Sequence, residues 1–385
     1  MLRNVFAALL LYALLSPSTA DAKEGAPVAI RTLPNGATAI ETMSGLKLQI
    51  VQQDSPSEKS GTDFDKTILL SETGQHLLSR QANEPAATWS VPKDTDGRKG
   101  ILVRSIGTTA DPAMIVRVDG LQILIGVPRA VAKLTPQQYP NLDVVVLRVD
   151  NEQPPAEDLN KTLSVLVPRF VLVSASNSDD AKKVSLANVP GSSTSHRNHN
   201  TFAITSKEAP DESQIQRVVL TEQDWEPSAE LEKLFQAMET SAKESQSVFS
   251  KLSVDQMNFR PSNGTHTPRW NTEHMMGRQL LFFSQIYHAA DPMIPVIDLN
   301  PKQMPPDYRA AHPDWDGAEE ARQIQRVGDY CRRFSYLLDG MDVDSKAPGS
   351  SWPSLRALFV QMEIHYLEHT TNTVKKFDLP DWPKE

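Results

Sequence analysis

The apolar period of this chain changes once, at Ser228, from two to 3.6. Before it, apolar residues come in short runs broken by turns. After it, they recur at spacings of three and four. A period of two puts alternate side chains on opposite faces of a strand, whereas three and four stack them along one helix face. The chain is therefore expected to be multi-domain α+β: a sheet-rich α/β domain over residues 26–221, a linker over 222–227, and an all-α four-helix bundle over 228–383. Its 385 residues suffice for two cores.

In the first region, Ala37 to Glu41 and Leu46 to Val51 flank Gly45 as a hairpin, and Asp119-Gly120 marks a second between Met114–Val118 and Leu121–Ile125. Further strands are expected at Thr67–Leu70, Ile101–Ile106, Val144–Leu147 and Phe170–Val173. Helices are expected only near Pro155–Leu166 and Pro136–Tyr139. Val184 to Lys207 is rich in Gly, Ser and Asn and reads as a solvated loop carrying His196 and His199. Ser206 to Pro227 combines a last strand, Val218 to Leu220, with an acidic linker.

In the second region, Leu231, Leu234, Phe235, Met238, Val248, Phe249 and Leu252 line one helix, and Ser253 to Gln256 offers a capping box. A second helix is expected over Thr272–Ala289, stopped by Pro292 and Pro295, with a Pro-rich crossover over Leu299–Pro313. A third is expected over Asp316–Leu338. The fourth, opened by Ser350-Ser351-Trp352-Pro353, runs to Phe377 and presents Leu355, Leu358, Phe359, Met362, His365 and His369 along one face.

Imidazoles four residues apart on a helix stand one above the other and can share an ion. A lone histidine on an apolar face is more often a hydrogen-bonded core residue, but two adjacent ones would each need a partner. His274, expected in the first turn of the second helix, supplies a third imidazole from a facing helix. Three such ligands leave an open position, where a metal activates water or a thiol for attack. Arg278, Glu273, Glu363 and Glu368 are candidates for supporting hydrogen bonds, with a solvated helix face as the simpler reading. Asp307 and Tyr308, in the crossover, are candidates to close over the mouth of the site.

The net charge of −9 argues against a nucleic-acid partner. Arg3, the apolar run Phe6 to Leu15 and Ala20-Asp21-Ala22 form the pattern of a signal peptide over residues 1–22, with an uncleaved anchor as the alternative. No later segment approaches the roughly 20 apolar residues of a spanning helix, so the mature chain is expected to have no transmembrane segment and to be periplasmic or extracellular. Cys331 is the only cysteine, expected as a buried thiol, and stability must come from packing.

Two resemblances follow from these residues. The strand rhythm from Ile30 to Asp150, with TILLSETGQHLLSR at Thr67 to Arg80, resembles the metallo-β-lactamase superfamily. Where that family carries an HxHxDH loop this chain has Ser71 to His76, with one histidine, so the resemblance implies a degenerate domain without the binuclear site. From Ser228 to Pro383 the chain resembles the DinB family, on the segments Phe259 to Trp270, PPDYRAAHPDW at Pro305 to Trp315, EEARQIQRV and HYLEH. His365 and His369 match that family's paired ligands. Its first histidine would fall near Gly277 and Arg278, so either His274 reaches in from a turn earlier or the site is incomplete. The resemblance implies a divalent metal, zinc or nickel, and a thiol-dependent transferase or isomerase reaction; the function expected for the whole chain is a metal-dependent transferase or hydrolase acting on a small molecule, with a homodimer left open. The alternative is a non-catalytic binding or structural module of the cell envelope.

Overall fold

The computed structural model describes residues 27–33, 37–43, 45–51, 64–72, 74–79, 88–90, 100–136, 139, 141–148, 156–174, 193–196, 199–205, 215–220, 224–303 and 307–384. The signal-peptide expectation lies outside them. The described residues form a mixed α/β fold with a sheet-rich half and seven helices. None of those helices is long and apolar enough to cross a membrane.

The sheet-rich half is two sheets facing each other. Strands β1 (Val28–Thr32), β2 (Thr38–Glu41), β3 (Lys47–Val51), β4 (Lys66–Leu69) and β13 (Thr201–Ile204) make the smaller one, in the order β13-β1-β2-β3-β4. The larger contains β5 (Gln75–Ser79), β6 (Thr88–Ser90), β7 (Gly100–Ser105), β8 (Ala113–Val118), β9 (Leu121–Gly126), β10 (Val144–Arg148), β11 (Phe170–Ser174), β12 (Ser193–His196) and β14 (Gln216–Leu220). Its order is β12-β14-β11-β10-β9-β8-β7-β5-β6. Asp119 and Gly120, with φ of 47° and 81°, turn β8 into β9 as their sequence predicts. From β9 onward the pairings are parallel, which requires crossovers: α1 (Pro128–Ala132) and α2 (Ala156–Leu166) supply them.

Alternation then decides what each face touches. Val28, Ile30, Ile40, Leu48 and Ile50 point inward against Val103, Val116, Ile125 and Val146 of the larger sheet. On that sheet's other face Val145, Leu147 and Val171 pack under Leu159 and Leu163 of α2. The other face of the smaller sheet is unlike either. There Ala29 and Ala203, small enough for close approach, join the core of the helical half. The helices thus supply the outer layer over that sheet.

The long helices are α3 (Ala229–Phe249), α5 (Pro268–Ala290), α6 (Gly317–Arg333) and α7 (Leu355–Val374), with a short α4 (Val254–Met257) and a 3-10 turn at Ser335–Leu338. Helices α3 and α5 each pack against both α6 and α7. The rings of Phe235, Phe283 and Phe359 meet edge-on at their centre, Phe359 lying 4.7 Å from Phe235 and 5.2 Å from Phe283. The capping box at Ser253 and Gln256 is present as expected.

Three expectations are corrected. Helix α5 starts at Pro268, capped by Thr267, because proline's missing amide proton costs nothing at a first helical position. Pro353 precedes its helix instead of opening it, since Ser354 is the cap of α7. The stretch read as a solvated loop contains β12 and β13, the latter paired with β1, and the His199 ring lies 4.2 Å from that of Tyr336, tilted by 39°. At Pro136, the start of the other short helix expected here, the chain is in 3-10 conformation and the Tyr139 amide donates to Pro136 O at 3.0 Å; residues 137 and 138 lie outside the described ones, and α1 comes just before. The expected linker is pinned as well: the Trp225 indole donates to Asp339 at 3.0 Å.

Candidate metal centre

Helix α7 is apolar-facing for its first half, burying Leu355, Leu358, Phe359 and Met362, and then carries His365, Tyr366 and His369 onto the same core. Helix α5 crosses beside it. Because α5 begins at Pro268, His274 lies in its second turn, not its first, and this extra turn brings it level with the α7 pair. One ring nitrogen from each of His274, His365 and His369 lies within 4.8 Å of the others. Among the described residues this is the one group of three or more His, Cys, Asp or Glu side chains so placed. The ring centroids stand 4.6 to 5.1 Å apart.

Two of the rings are oriented from behind. His369 Nδ1 lies 2.9 Å from Asn271 Oδ1, and the Asn271 amide nitrogen donates to Thr373 Oγ1 at 2.9 Å. That second bond fixes which end of the amide faces the ring, so Nδ1 carries the proton and Nε2 keeps its lone pair. His274 Nδ1 lies 2.8 Å from Asn300 Oδ1, with the same consequence. Asn300 reaches the ring because the crossover runs hard against α5 at Gly277, where a Cβ would meet the Asn300 Cα at 2.6 Å. His365 has no such support: its Nδ1 is buried with no hydrogen-bond partner among the described residues.

Burial pushes all three imidazoles down, His274 and His365 to about 4 and His369 to about 3; Arg278 and His266 add to the effect at His274, His274 and Arg278 at His365, and both other cluster histidines at His369. They are neutral at pH 7. Three neutral imidazoles converging, with one buried nitrogen unsatisfied, are the donor set and the unmet demand that a borderline divalent cation fits. Trp270 lies flat on His274, centroids 4.4 Å apart, and His266 covers the indole's other face at 3.6 Å. The indole nitrogen donates to Gln303 O at 3.0 Å, which ties this wall to the crossover.

Of the supporting residues read from sequence, none bonds the histidines among the described residues, and only Arg278 is close enough for its charge to lower His274 and His365. Glu273 turns away and clamps the crossover, accepting from Tyr308 Oη at 2.7 Å and from the Ala311 amide at 3.0 Å. Tyr308 is buried in that clamp instead of standing over the site. Burial raises the Glu273 carboxyl above its usual range despite these bonds. The Arg278 guanidinium lies 5.7 Å over the Phe282 ring, and the three histidines converge without it. Glu363 is half-buried on α7, with no bond to the cluster among the described residues. A buried pair, Arg269 and Glu320 at 2.6 Å, instead anchors the first turns of α5 to α6, with Thr272 donating to the second carboxylate oxygen. Cys331 is buried as expected, its thiol accepting from Gln279 at 3.4 Å and pushed up by desolvation.

The sheet-rich half holds no counterpart among its described residues. His76, in the segment whose sequence resembles a ligand loop, stands beside Glu72 at 3.2 Å and belongs to no group of three metal-ligating side chains among the described residues.

No family model matches the chain, and no curated protein does. Two solved structures overlap part of it. One, from Thermotoga maritima, is described as a proposed zinc-dependent hydrolase of the metallo-β-lactamase superfamily, with 10% identity and a TM-score of 0.32 over 50% of this chain and 100% of that one. The other, from Parabacteroides distasonis, is described as a proposed metal-dependent hydrolase, with 10% identity and a TM-score of 0.28 over 50% of this chain and 92% of that one. The superfamily of the first is the one the N-terminal residues resemble. Overlap this slight assigns neither family nor chemistry, and the site must be argued from its own geometry.

Proposed function

We propose that His274, His365 and His369 form a divalent-metal centre, with zinc or nickel as its ion, in a DinB-like four-helix bundle, and that the protein is an exported metal-dependent hydrolase or transferase acting on a small molecule. The observation that carries this reading is the convergence of three neutral imidazole nitrogens within 4.8 Å, two of them set by asparagine side chains. An ion held by three imidazoles keeps a coordination position open and supplies Lewis acidity there.

The chain's own residues supply the rest. Asn271 and Asn300 hold His369 and His274 in the tautomer that presents Nε2. Trp270 shields the outer side of His274 from water. The clamp of Glu273 on Tyr308 and Ala311 keeps the crossover, and with it Asn300, in place. The sheet-rich half serves as a scaffold against which the helices are seated.

Elemental analysis of the purified protein tests the reading, comparing wild type with His274→Ala and with the His365→Ala, His369→Ala double variant. About one zinc or nickel per chain, lost in both variants, is the expected result. Absence of metal after reconstitution, in protein that is folded by circular dichroism, would overturn it. A screen of thiol and ester substrates with the loaded protein then separates transferase from hydrolase.

A further inference from the structure

The junction between the two halves carries an electrostatic imbalance that neither half explains alone. Glu41 on β2 points out of the smaller sheet toward the helices and is nine-tenths buried. Three cations converge on it. Arg333, from the end of α6, donates through Nε to Oε2 at 2.9 Å, and Arg31, from β1, stands 3.3 Å from Oε1. Lys47 is its direct cross-strand partner on β3, on the same face. Burial by itself would raise the Glu41 carboxyl; Arg333, Arg31 and Lys47 together outweigh it and hold the group below its usual range. The carboxylate is therefore ionised, and one negative charge faces three positive ones.

The surplus sits in a space. Two adjoining clefts of about 160 and 230 Å³ open at this junction, away from the histidines, and Arg31, Glu41, Arg332 and Arg333 line both. Lys47 and Asp329 complete the charged lining of the larger one. Arg332 does not contribute to the surplus, since its guanidinium is held by Glu232 at 2.6 Å and by Glu239. Asp329 accepts from the neutral Gln325 amide and keeps its charge, so it offsets one of the cations and leaves a smaller positive surplus around Glu41. Arg333 is different: its side chain is 5% exposed, it spends Nε on Glu41, and its Nη1 is buried with no partner among the described residues. Arg31 leaves its Nε in the same condition. Buried guanidinium protons without acceptors are costly, and guanidinium groups are shaped to grip oxyanions through paired N–H bonds.

We propose that this junction is a binding site for a compact oxyanion, the phosphate or carboxylate group of a small molecule, held between Arg31, Lys47 and Arg333. The ligand neutralises the surplus around Glu41 and bridges the sheet to α6. It is a second site, separate from the histidine cluster, and it does not depend on metal.

The test is calorimetric titration of the full chain with inorganic phosphate and, separately, with malonate, at constant ionic strength set with sodium chloride. Saturable binding of either is expected, and which of the two binds tells whether the group is a phosphate or a carboxylate. Arg31→Gln should weaken binding roughly tenfold or more by removing one charge-assisted grip. Lys47→Gln should do so while leaving both arginines on Glu41, so it remains informative if Arg31→Gln fails to fold. Glu41→Gln should tighten binding, because it removes the competing carboxylate, an effect that a purely structural role for these residues does not produce. The His365→Ala, His369→Ala variant should bind as wild type does. No saturable binding of either anion, or binding indifferent to Lys47→Gln and Glu41→Gln, would overturn the proposal.

Discussion

The two halves of this protein treat their polar residues in opposite ways. In the helical half, three histidines from two helices are gathered onto one point, and asparagines behind two of them fix their direction. In the sheet-rich half, His76 lies in the one segment whose sequence resembles a metal-ligand loop, and among the described residues it stands 3.2 Å from Glu72 and belongs to no group of three metal-ligating side chains. The difference teaches that a site is made by convergence and not by position in a fold. A strand end offers a location, whereas the spacing of three and four on a helix, set against a second helix, offers several donors at once.

The sharpest way to break that contrast is to exchange the histidine removed. His369→Ala is expected to abolish stoichiometric metal binding, while His76→Ala leaves it unchanged, as read by elemental analysis of both proteins. Equal metal loss in the two would erase the distinction. Next in size is the packing that holds the convergence. Phe359→Ala, which opens the three-ring contact with Phe235 and Phe283, is expected to lower stability by about 3–5 kcal/mol in chemical denaturation. Because Ala29 and Ala203 belong to the same core, the sheet signal should shift with the helical one. Two separated transitions would show that the halves are stabilised independently.

A smaller effect is expected behind the ligands. Asn300→Ala should weaken metal affinity by roughly 10- to 100-fold, with the metal still binding at saturation, because His274 loses its orienting bond but not its nitrogen. Unchanged affinity in a competition titration would make Asn300 a bystander.

A last effect concerns protons. In metal-free protein the three imidazoles have folded-state values near 4, 4 and 3, against 6.5 for an ordinary histidine. The unfolded chain therefore takes up protons first as the pH falls. Stability is fully present above about pH 6.5 and declines as the pH drops toward 4. Replacing all three by asparagine should flatten that slope in thermal melts followed from pH 7 to 4.

What the sequence made legible follows from the range over which each signal acts. The α7 pair was readable because His365 and His369 lie four residues apart in one periodic helix. The β8–β9 turn was readable because Asp119-Gly120 carries its own backbone preference. Strand β13 was not, since Thr201–Ile204 sits in a polar surrounding and its partner β1 lies near the other end of the sheet-rich half. Thr267-Pro268 was read as the end of a loop, although a threonine cap followed by proline also begins a helix, and that choice displaced His274 by a turn. Asn271 was within reach: it lies three residues before His274, facing α7. Asn300 was not, because an isolated asparagine in a crossover carries no period, and only the close approach at Gly277 brings it to the ring. The clamp of Glu273 on Tyr308 likewise depends on how the crossover folds back.

Trp270 gives the cluster a property beyond its chemistry. An indole lying flat on His274 shares its excited state with whatever that imidazole is doing, and a nickel or copper ion on the ring offers a route for the energy to leave without light. The protein thus carries its own optical gauge at the site. Trp270 is one of six tryptophans, so the part of an emission change on adding nickel that disappears in Trp270→Phe is the part that reports this site.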